Sequence, residues 1–323
     1  MTWQKFPWQQ EEPDPTRDRL CAEGRASTDL DCTVEGANFI GDPVEPKEEI
    51  VICAYNVERG LRLDDQLRAF ADDTAIPSPD VLLLSEADRG CTRTGDRNIA
   101  REYARALGMC YVYGVEFIEL PRFWGPGGAV RRPCEHGNAI VSRYPLGNVR
   151  AIRHEHSRSW NSTLQRCLRL GEPRLGGRLA LAADLRIGER TLRVYAVHFE
   201  SGHGGDGPSS PRGYREAQAR ELIEDASELD GSVVIGGDMN VGRYLGLRGE
   251  EDSREPVSMA LLEAGYEDAH AALPPGGRVT TDSGLAIDLI FGRGVSFTAP
   301  GVGARKIWGG LSDHLPVWAR VGL

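Results

Sequence analysis

Six apolar runs of strand length, each carrying a polar side chain at or near one end, limit most what this chain can fold into. "VICAYN" finishes on Asn56, "VLLLSE" on Glu86, and "RVYAVHFES" carries His198 near its end. "VVIGGDMN" ends in Asp238 and Asn240, "LAIDLIF" holds Asp288, and "GGLSDHLPVW" opens with Asp313 and His314. The apolar portions read as buried strands. In a strand, residues two apart share a face, so Asp238 and Asn240 would point the same way. A turn is the competing reading, because Asp and Asn are common in turns. Asp288 is harder to explain as a turn or a solvated end. A carboxylate inside an apolar strand costs several kcal/mol unless it is paired, and His314 is a chemically suitable partner.

Between the strands lie helical patterns. "LDDQLRAFADD" and "NIAREYARALG" have apolar residues at helical spacing, the second closing on Gly108 as a C-cap. "SSPRGYREAQARELIEDASELDG" predicts a long helix with Ala219, Leu222, Ile223, Ala226 and Leu229 on one face. Two β patterns meeting at "GER" predict a hairpin. Strands with interspersed helices argue for α/β layers. At 323 residues the chain is long for one domain, but a single domain suffices if two sheets pack together. Residues 1–48, rich in Pro, Asp and Glu, read as an acidic and partly disordered extension, leaving residues 49–323 as the folded domain.

Charge and cysteines narrow the setting. The net charge of −10 is concentrated in residues 1–50, which hold 12 acidic and 5 basic side chains. From Arg122 to Arg178 the sign reverses, with 11 Arg against Glu135, Glu155 and Glu172. That segment is either a solvated face or a surface for an anionic substrate. No Lys/Arg block suggests a nucleic-acid-binding tail. No run reaches the roughly 18 apolar residues of a membrane span. The N-terminus lacks a secretory pattern, so a cytoplasmic location is expected. The seven cysteines show no CxxC, which makes a cysteine metal site unlikely on spacing alone. Cys53 reads as core, and a Cys21–Cys32 pair would require an oxidising compartment.

Eight polar residues on six apolar runs supply the parts of a hydrolytic site. Glu86 and Asp313 are oxygen donors suited to Mg²⁺ or Mn²⁺, and the Asn56 amide can support them. His198 and His314 can move protons near neutral pH. In this order, "YNV", "LLLSEAD", "GNAIVSRYPL", "YAVHFES", "GGDMN", "AIDLIFG" and "LSDHLPV" resemble the endonuclease/exonuclease/phosphatase superfamily of metal-dependent phosphoesterases, which includes deoxyribonuclease I. The matching pieces span residues 50–320.

The resemblance implies a four-layer α/β sandwich, two mixed β-sheets flanked by helices, with the site where strand ends meet. It implies Glu86 as the metal acid, supported by Asn56 and Asp313. Asp238 would orient or deprotonate the attacking water, and Asn240 would hold a phosphate oxygen. His314 would polarise the water or the phosphoryl group, with Asp288 orienting its ring. Whether Asp238 or His314 is the base stays open. His198 would protonate the leaving oxygen or bind phosphate, and Glu135 is the candidate to support it. Arg97, Arg212 and Arg215 are further candidates for phosphate contact. The expected activity is divalent-metal-dependent hydrolysis of a phosphodiester, in a nucleic acid or a small molecule. The alternatives are a sphingomyelinase-like lipid phosphodiesterase and a catalytically silent nucleotide- or partner-binding protein. "AIDLIFG" departs from the Trp and Arg pattern of inositol polyphosphate phosphatases and disfavours that reading.

Overall fold

A computed structural model describes residues 34–42, 44–72, 76–121, 128–158, 174–202, 207–241 and 255–323. Its first sheet contains β1 (Val34–Asn38), β2 (Glu49–Arg59), β3 (Val81–Arg89), β4 (Cys110–Glu119), β5 (Cys134–Ser142), β7 (Arg174–Gly176), β13 (Ser296–Val302) and β14 (Val317–Gly322). The second contains β6 (Leu146–Arg153), β8 (Leu179–Ile187), β9 (Arg190–His198), β10 (Ser232–Asp238), β11 (Glu267–Asp268) and β12 (Asp288–Arg293). The order is β1-β4-β5-β3-β2-β14-β13 in one sheet, with β7 beside β4, and β11-β12-β10-β9-β8-β6 in the other. Both are mixed: β2 with β3 and β9 with β10 run parallel, and the other pairs run antiparallel. The helices are α1 (Leu63–Ala71), α2 (Ile99–Leu107), α3 (Pro211–Ser227), α4 (Pro256–Glu263) and the short α5 (Arg305–Trp308).

Side-chain alternation makes four layers from these elements. Ile50, Ile52, Ala54, Val81 and Leu83 of the first sheet pack on Leu181, Ala183, Val194, Ala196 and Val234 of the second. Their strand neighbours Cys53, Tyr55, Leu82 and Leu84 face the other way, onto Leu63 and Phe70 of α1 and Ile99 and Tyr103 of α2. On the far side, Tyr195, Val197, Val233 and Ile235 meet Ala219, Leu222 and Ala226 of α3 and Leu261 of α4. With both faces covered, the strands need apolar residues at every position, which explains why the runs do not alternate. Each fully buried aliphatic side chain contributes about 1.5–3 kcal/mol.

Local signals in the sequence set several boundaries. Asn98 caps α2, its side chain accepting the Arg101 N–H at 3.0 Å, and Gly108 ends it in the left-handed region. Ser210 caps α3, and the hairpin at Gly188 and Glu189 joins β8 to β9. Two expectations differ from the structure. Residues 34–38, placed with the acidic extension, form β1 and pair with the edge of β4. Asp313 and His314 precede β14 in a loop rather than starting the strand.

A disulfide joins Cys91 to Cys134 across a sequence separation of 43, beyond anything the cysteine spacing suggested. Cys53 and Cys110 are free and buried, and Cys21 and Cys32 lie outside the described residues. A cross-link over that span restricts the unfolded chain and adds about 2–4 kcal/mol. Urea unfolding with and without dithiothreitol should therefore differ by that amount. Identical curves would show that the bond does not contribute.

Candidate active site where the two sheets end

Strand register gathers three of the residues before any side chain is considered. Asp238, the last residue of β10, is paired with His198 at the end of β9 on one side and with Asp288 at the start of β12 on the other. The three therefore lie on one rung at one edge of the second sheet. Gly237 makes this close approach possible: its φ is +148°, and a Cβ there would sit 2.0 Å from the Val197 carbonyl oxygen. Asn240 reaches the same place by another route. It lies beyond β10 with φ +49°, its N–H donated to Asp238 Oδ1 at 2.9 Å. A turn stabilised by the Asp side chain, rather than strand alternation, thus relates Asp238 to Asn240. Asn240 Nδ2 donates to the Phe199 carbonyl at 3.1 Å.

Asp238 is the hub. Its Oδ2 accepts the Asn56 amide at 3.0 Å and lies 3.5 Å from His198 Nε2 and 3.7 Å from His314 Nε2. His314 is fixed from behind, its Nδ1 2.7 Å from Asp288 Oδ2. Ser312 shapes the approach, donating to the Asn56 carbonyl at 2.7 Å and accepting the His314 N–H at 3.1 Å. Burial opposes charge on the His314 ring, but Asp288 and then Asp238 outweigh it and raise its pKa well above the ordinary imidazole value. The ring is thus an imidazolium between two carboxylates.

His198 has a different environment. Arg178 Nη1 stands 2.7 Å from its Nδ1 and 3.2 Å from Glu116 Oε2, while Glu116 itself is 3.3 Å from Nδ1. A guanidinium can only donate, so the shorter contact makes Nδ1 an acceptor and leaves the ring proton on Nε2, facing Asp238. Burial works against ionising Glu116, but the Arg178 guanidinium beside it prevails and brings its pKa from 4.5 down to about 2. A carboxyl with a depressed folded pKa stabilises the protein above its unfolded pKa and loses that contribution as pH falls through the folded value. The window here runs from pH 4.5 to about 2. A shift of this size is on the order of 3 kcal/mol. The stability gap between wild type and Glu116→Gln, measured by urea unfolding, should be full at pH 6 and close towards pH 2. A pH-independent gap would refute the assignment.

Glu86 sits where the first sheet is irregular. The register slips between Leu84 and Ala87 on the β3–β5 side and between Asn56 and Arg59 on the β2–β3 side, and Glu86 has φ +57°. Bulges re-aim side chains, and a non-glycine residue in this region costs of order 1–3 kcal/mol, so the surrounding structure must hold it there. Burial disfavours the Glu86 carboxylate, but Arg59, whose Nη1 is 3.3 Å away, holds its pKa well below the ordinary value. Asp313 is exposed, next to His314, with Ser312 Oγ 3.4 Å from its Oδ1. Among the described residues, two groups have the spacing of cation ligands: Glu86, His136 and His198, and Asp238, Asp288 and His314. The first combines an ionised oxygen donor with ring nitrogens and suits a divalent ion. The second is already satisfied by the His314 cation.

Several residues fall elsewhere than the sequence suggested. The carboxylate beside His198 is Glu116, in a bulge of β4, not Glu135, which pairs with Arg89. Glu116 was visible as a charge inside the apolar run "CYVYGVEFIE", the criterion that singled out Asp288. Arg178 and His136 carried no comparable signal. Arg97 pairs with Asp64 at 2.9 Å, and Arg215 donates to the Glu200 and Gly202 carbonyls at 3.2 and 2.9 Å. Arg212 begins the second position of α3. Residues 203–206 of the loop after His198 lie outside the described residues.

A sequence model described as Endonuclease/Exonuclease/phosphatase family matches residues 53–314. No curated protein matches in sequence. Solved structures do match. The endonuclease/exonuclease/phosphatase from Beutenbergia cavernae is 17% identical with TM-score 0.59, covering 86% of this chain and 72% of that one. D. rerio TDP2 complexed with single-strand DNA product is 16% identical with TM-score 0.56, covering 86% and 100%. The human Nocturnin catalytic domain with bound sulfate anion is 16% identical with TM-score 0.54, covering 86% and 96%. At these identities the likeness shows the shared fold.

Proposed function

From a chain that belongs to the endonuclease/exonuclease/phosphatase family, a family of hydrolytic phosphoesterases, we propose divalent-metal-dependent hydrolysis of a phosphodiester, in nucleic acid or a small molecule. The observation that carries this reading is Asp238 Oδ2 within 3.5 and 3.7 Å of two imidazoles. Glu86, supported by Asp313 and Asn56, would hold a divalent cation, Mg²⁺ or Mn²⁺, which neutralises charge on the phosphoryl oxygens. Asp238, which lies beside both rings, takes the proton of the attacking water. His314 donates from Nε2 to the phosphoryl group, and Asp288 fixes its orientation. Asn240 keeps a second amide N–H for a phosphoryl oxygen. His198, with its proton on Nε2, donates a hydrogen bond to a phosphate oxygen.

The anionic ligands of two structural neighbours, DNA product on D. rerio TDP2 and sulfate on human Nocturnin, support an anionic diester as substrate. No described helix is long and apolar enough to cross a membrane. The Cys91–Cys134 bond favours an oxidising compartment over the cytoplasmic location expected from the N-terminus.

A panel of a chromogenic diester, plasmid DNA, RNA and sphingomyelin, each with Mg²⁺, Mn²⁺ or EDTA, tests the reading. Metal-dependent cleavage of a nucleic acid or the small diester is expected. Cleavage of sphingomyelin alone would transfer the assignment to lipid, and cleavage of nothing would overturn it.

A further inference from the structure

His136 has no part in the mechanism above, yet it is fully buried against the site. It is the third residue of β5, two after the disulfide cysteine Cys134. Its Nδ1 is 3.0 Å from Asp88 Oδ1, and Asp88 is gripped by Arg93 through Nε at 2.6 Å and Nη2 at 2.8 Å. Arg93 donates to both Asp88 oxygens, so the carboxylate accepts from His136 and, in the neutral ring, Nδ1 carries the proton. That leaves Nε2 with a lone pair. Nε2 is buried and has no hydrogen-bond partner among the described residues. A buried polar atom left unsatisfied is costly and calls for an explanation.

A ring nitrogen of His136, one of His198 and an oxygen of Glu86 all lie within 4.8 Å of one another. Ligands about 2.0–2.2 Å from one ion stand at most about 4.4 Å apart, so a small side-chain adjustment brings Glu86 and His136 onto a single ion. The Asp88–His136 pair is also the arrangement that orients metal-bound imidazoles, a carboxylate fixing the tautomer from behind. His198 differs, because Arg178 occupies its Nδ1 and its Nε2 carries the proton.

We propose that His136 Nε2 is a ligand of the ion at Glu86, and that this nitrogen makes the site select a first-row transition-metal ion over Mg²⁺. The inference rests on reading Glu86 as the metal acid. Imidazole suits ions such as Zn²⁺, Fe²⁺ and Ni²⁺, whereas Mg²⁺ prefers an all-oxygen, largely hydrated shell. Mn²⁺ stands between them, accepts both donors and is paramagnetic, which makes it the probe. Asp88 is a positioning residue that acts through the ring.

The test is pulsed electron paramagnetic resonance of the full chain loaded with Mn²⁺, beside Mn²⁺ titrations competed with Mg²⁺. Wild type should show ¹⁴N coupling from a directly bound imidazole. The coupling should vanish in His136→Gln and persist in His198→Gln. Asp88→Asn should weaken Mn²⁺ binding by about 10–100-fold, the usual effect of removing such a partner. Wild type should hold Mn²⁺ against excess Mg²⁺, and His136→Gln should lose that preference. Coupling absent from wild type, or retained in His136→Gln, overturns the inference. The wild-type and His198→Gln spectra decide it even where His136→Gln does not fold. Mn²⁺ binding that Glu86→Gln abolishes, but without nitrogen coupling, sinks the inference and leaves the proposed function standing. Binding indifferent to Glu86→Gln removes both.

Discussion

Replacing His314 by alanine should lower kcat on a phosphodiester by about 10²–10⁴-fold, the range for removing a positioned acid/base group. The reason is its placement. Nδ1 is 2.7 Å from Asp288 and Nε2 is 3.7 Å from Asp238, so one ring both presents a donor to the reacting centre and compensates two buried carboxylates. Alanine removes the donor and leaves Asp238 and Asp288 facing each other across adjacent strands. Like charges at that separation raise each other's pKa, so Asp238 becomes a worse partner for water at the same time. Steady-state kinetics on a chromogenic diester measure the loss, and thermal unfolding separates chemistry from folding. A correctly folded His314→Ala protein with wild-type kcat would end the assignment. Asp288→Asn is the companion variant: it keeps the shape and an acceptor for Nδ1 but loses the negative charge that holds the imidazolium, and kcat should fall with KM little changed.

Loss of the metal should cost more. Lewis-acid stabilisation of phosphoryl charge is worth several kcal/mol, which corresponds to about 10³-fold or more in rate. EDTA should bring hydrolysis to background, and restored Mn²⁺ should recover it. Glu86→Gln should reproduce the EDTA state at any metal concentration that saturates wild type. The left-handed backbone at Glu86 makes this a sharp test, because Gln has the same steric demand at φ +57° and only the anionic donor is lost. Calorimetric titration with Mn²⁺ reads binding independently of turnover. Activity that survives EDTA would defeat the metal-dependent mechanism outright.

The legible part of the site was the part attached to strand ends. Asn56, Glu86, His198, Asp238, Asp288 and His314 were each visible as a polar break in an apolar run, and hydrogen bonds, ion pairs and ligand-distance contacts connect them in space. Glu116 meets the same criterion, but Glu135 lies nearer the "GNAIVSR" motif in sequence. Sequence proximity misled because β4 and β5 pair antiparallel with a slip between Val115 and Phe117, which turns Glu116 towards Arg178 and His198. Cys91–Cys134 was hidden for a similar reason: its partners lie on different segments whose approach depends on the β3–β5 pairing.

The sequence alone determined the layers, because a strand covered on both faces must be apolar throughout, and a helix on a sheet must repeat its apolar residues every three or four positions. It also determined which side chains were chemically capable. Only the tertiary structure decided which of them touch. Contacts such as Asn56 with Asp238, Arg178 with His198 and His136 with Glu86 depend on strand register, on bulges and on the distance between two sheets. These are set by packing between segments far apart in the chain, and no local pattern of residues encodes them.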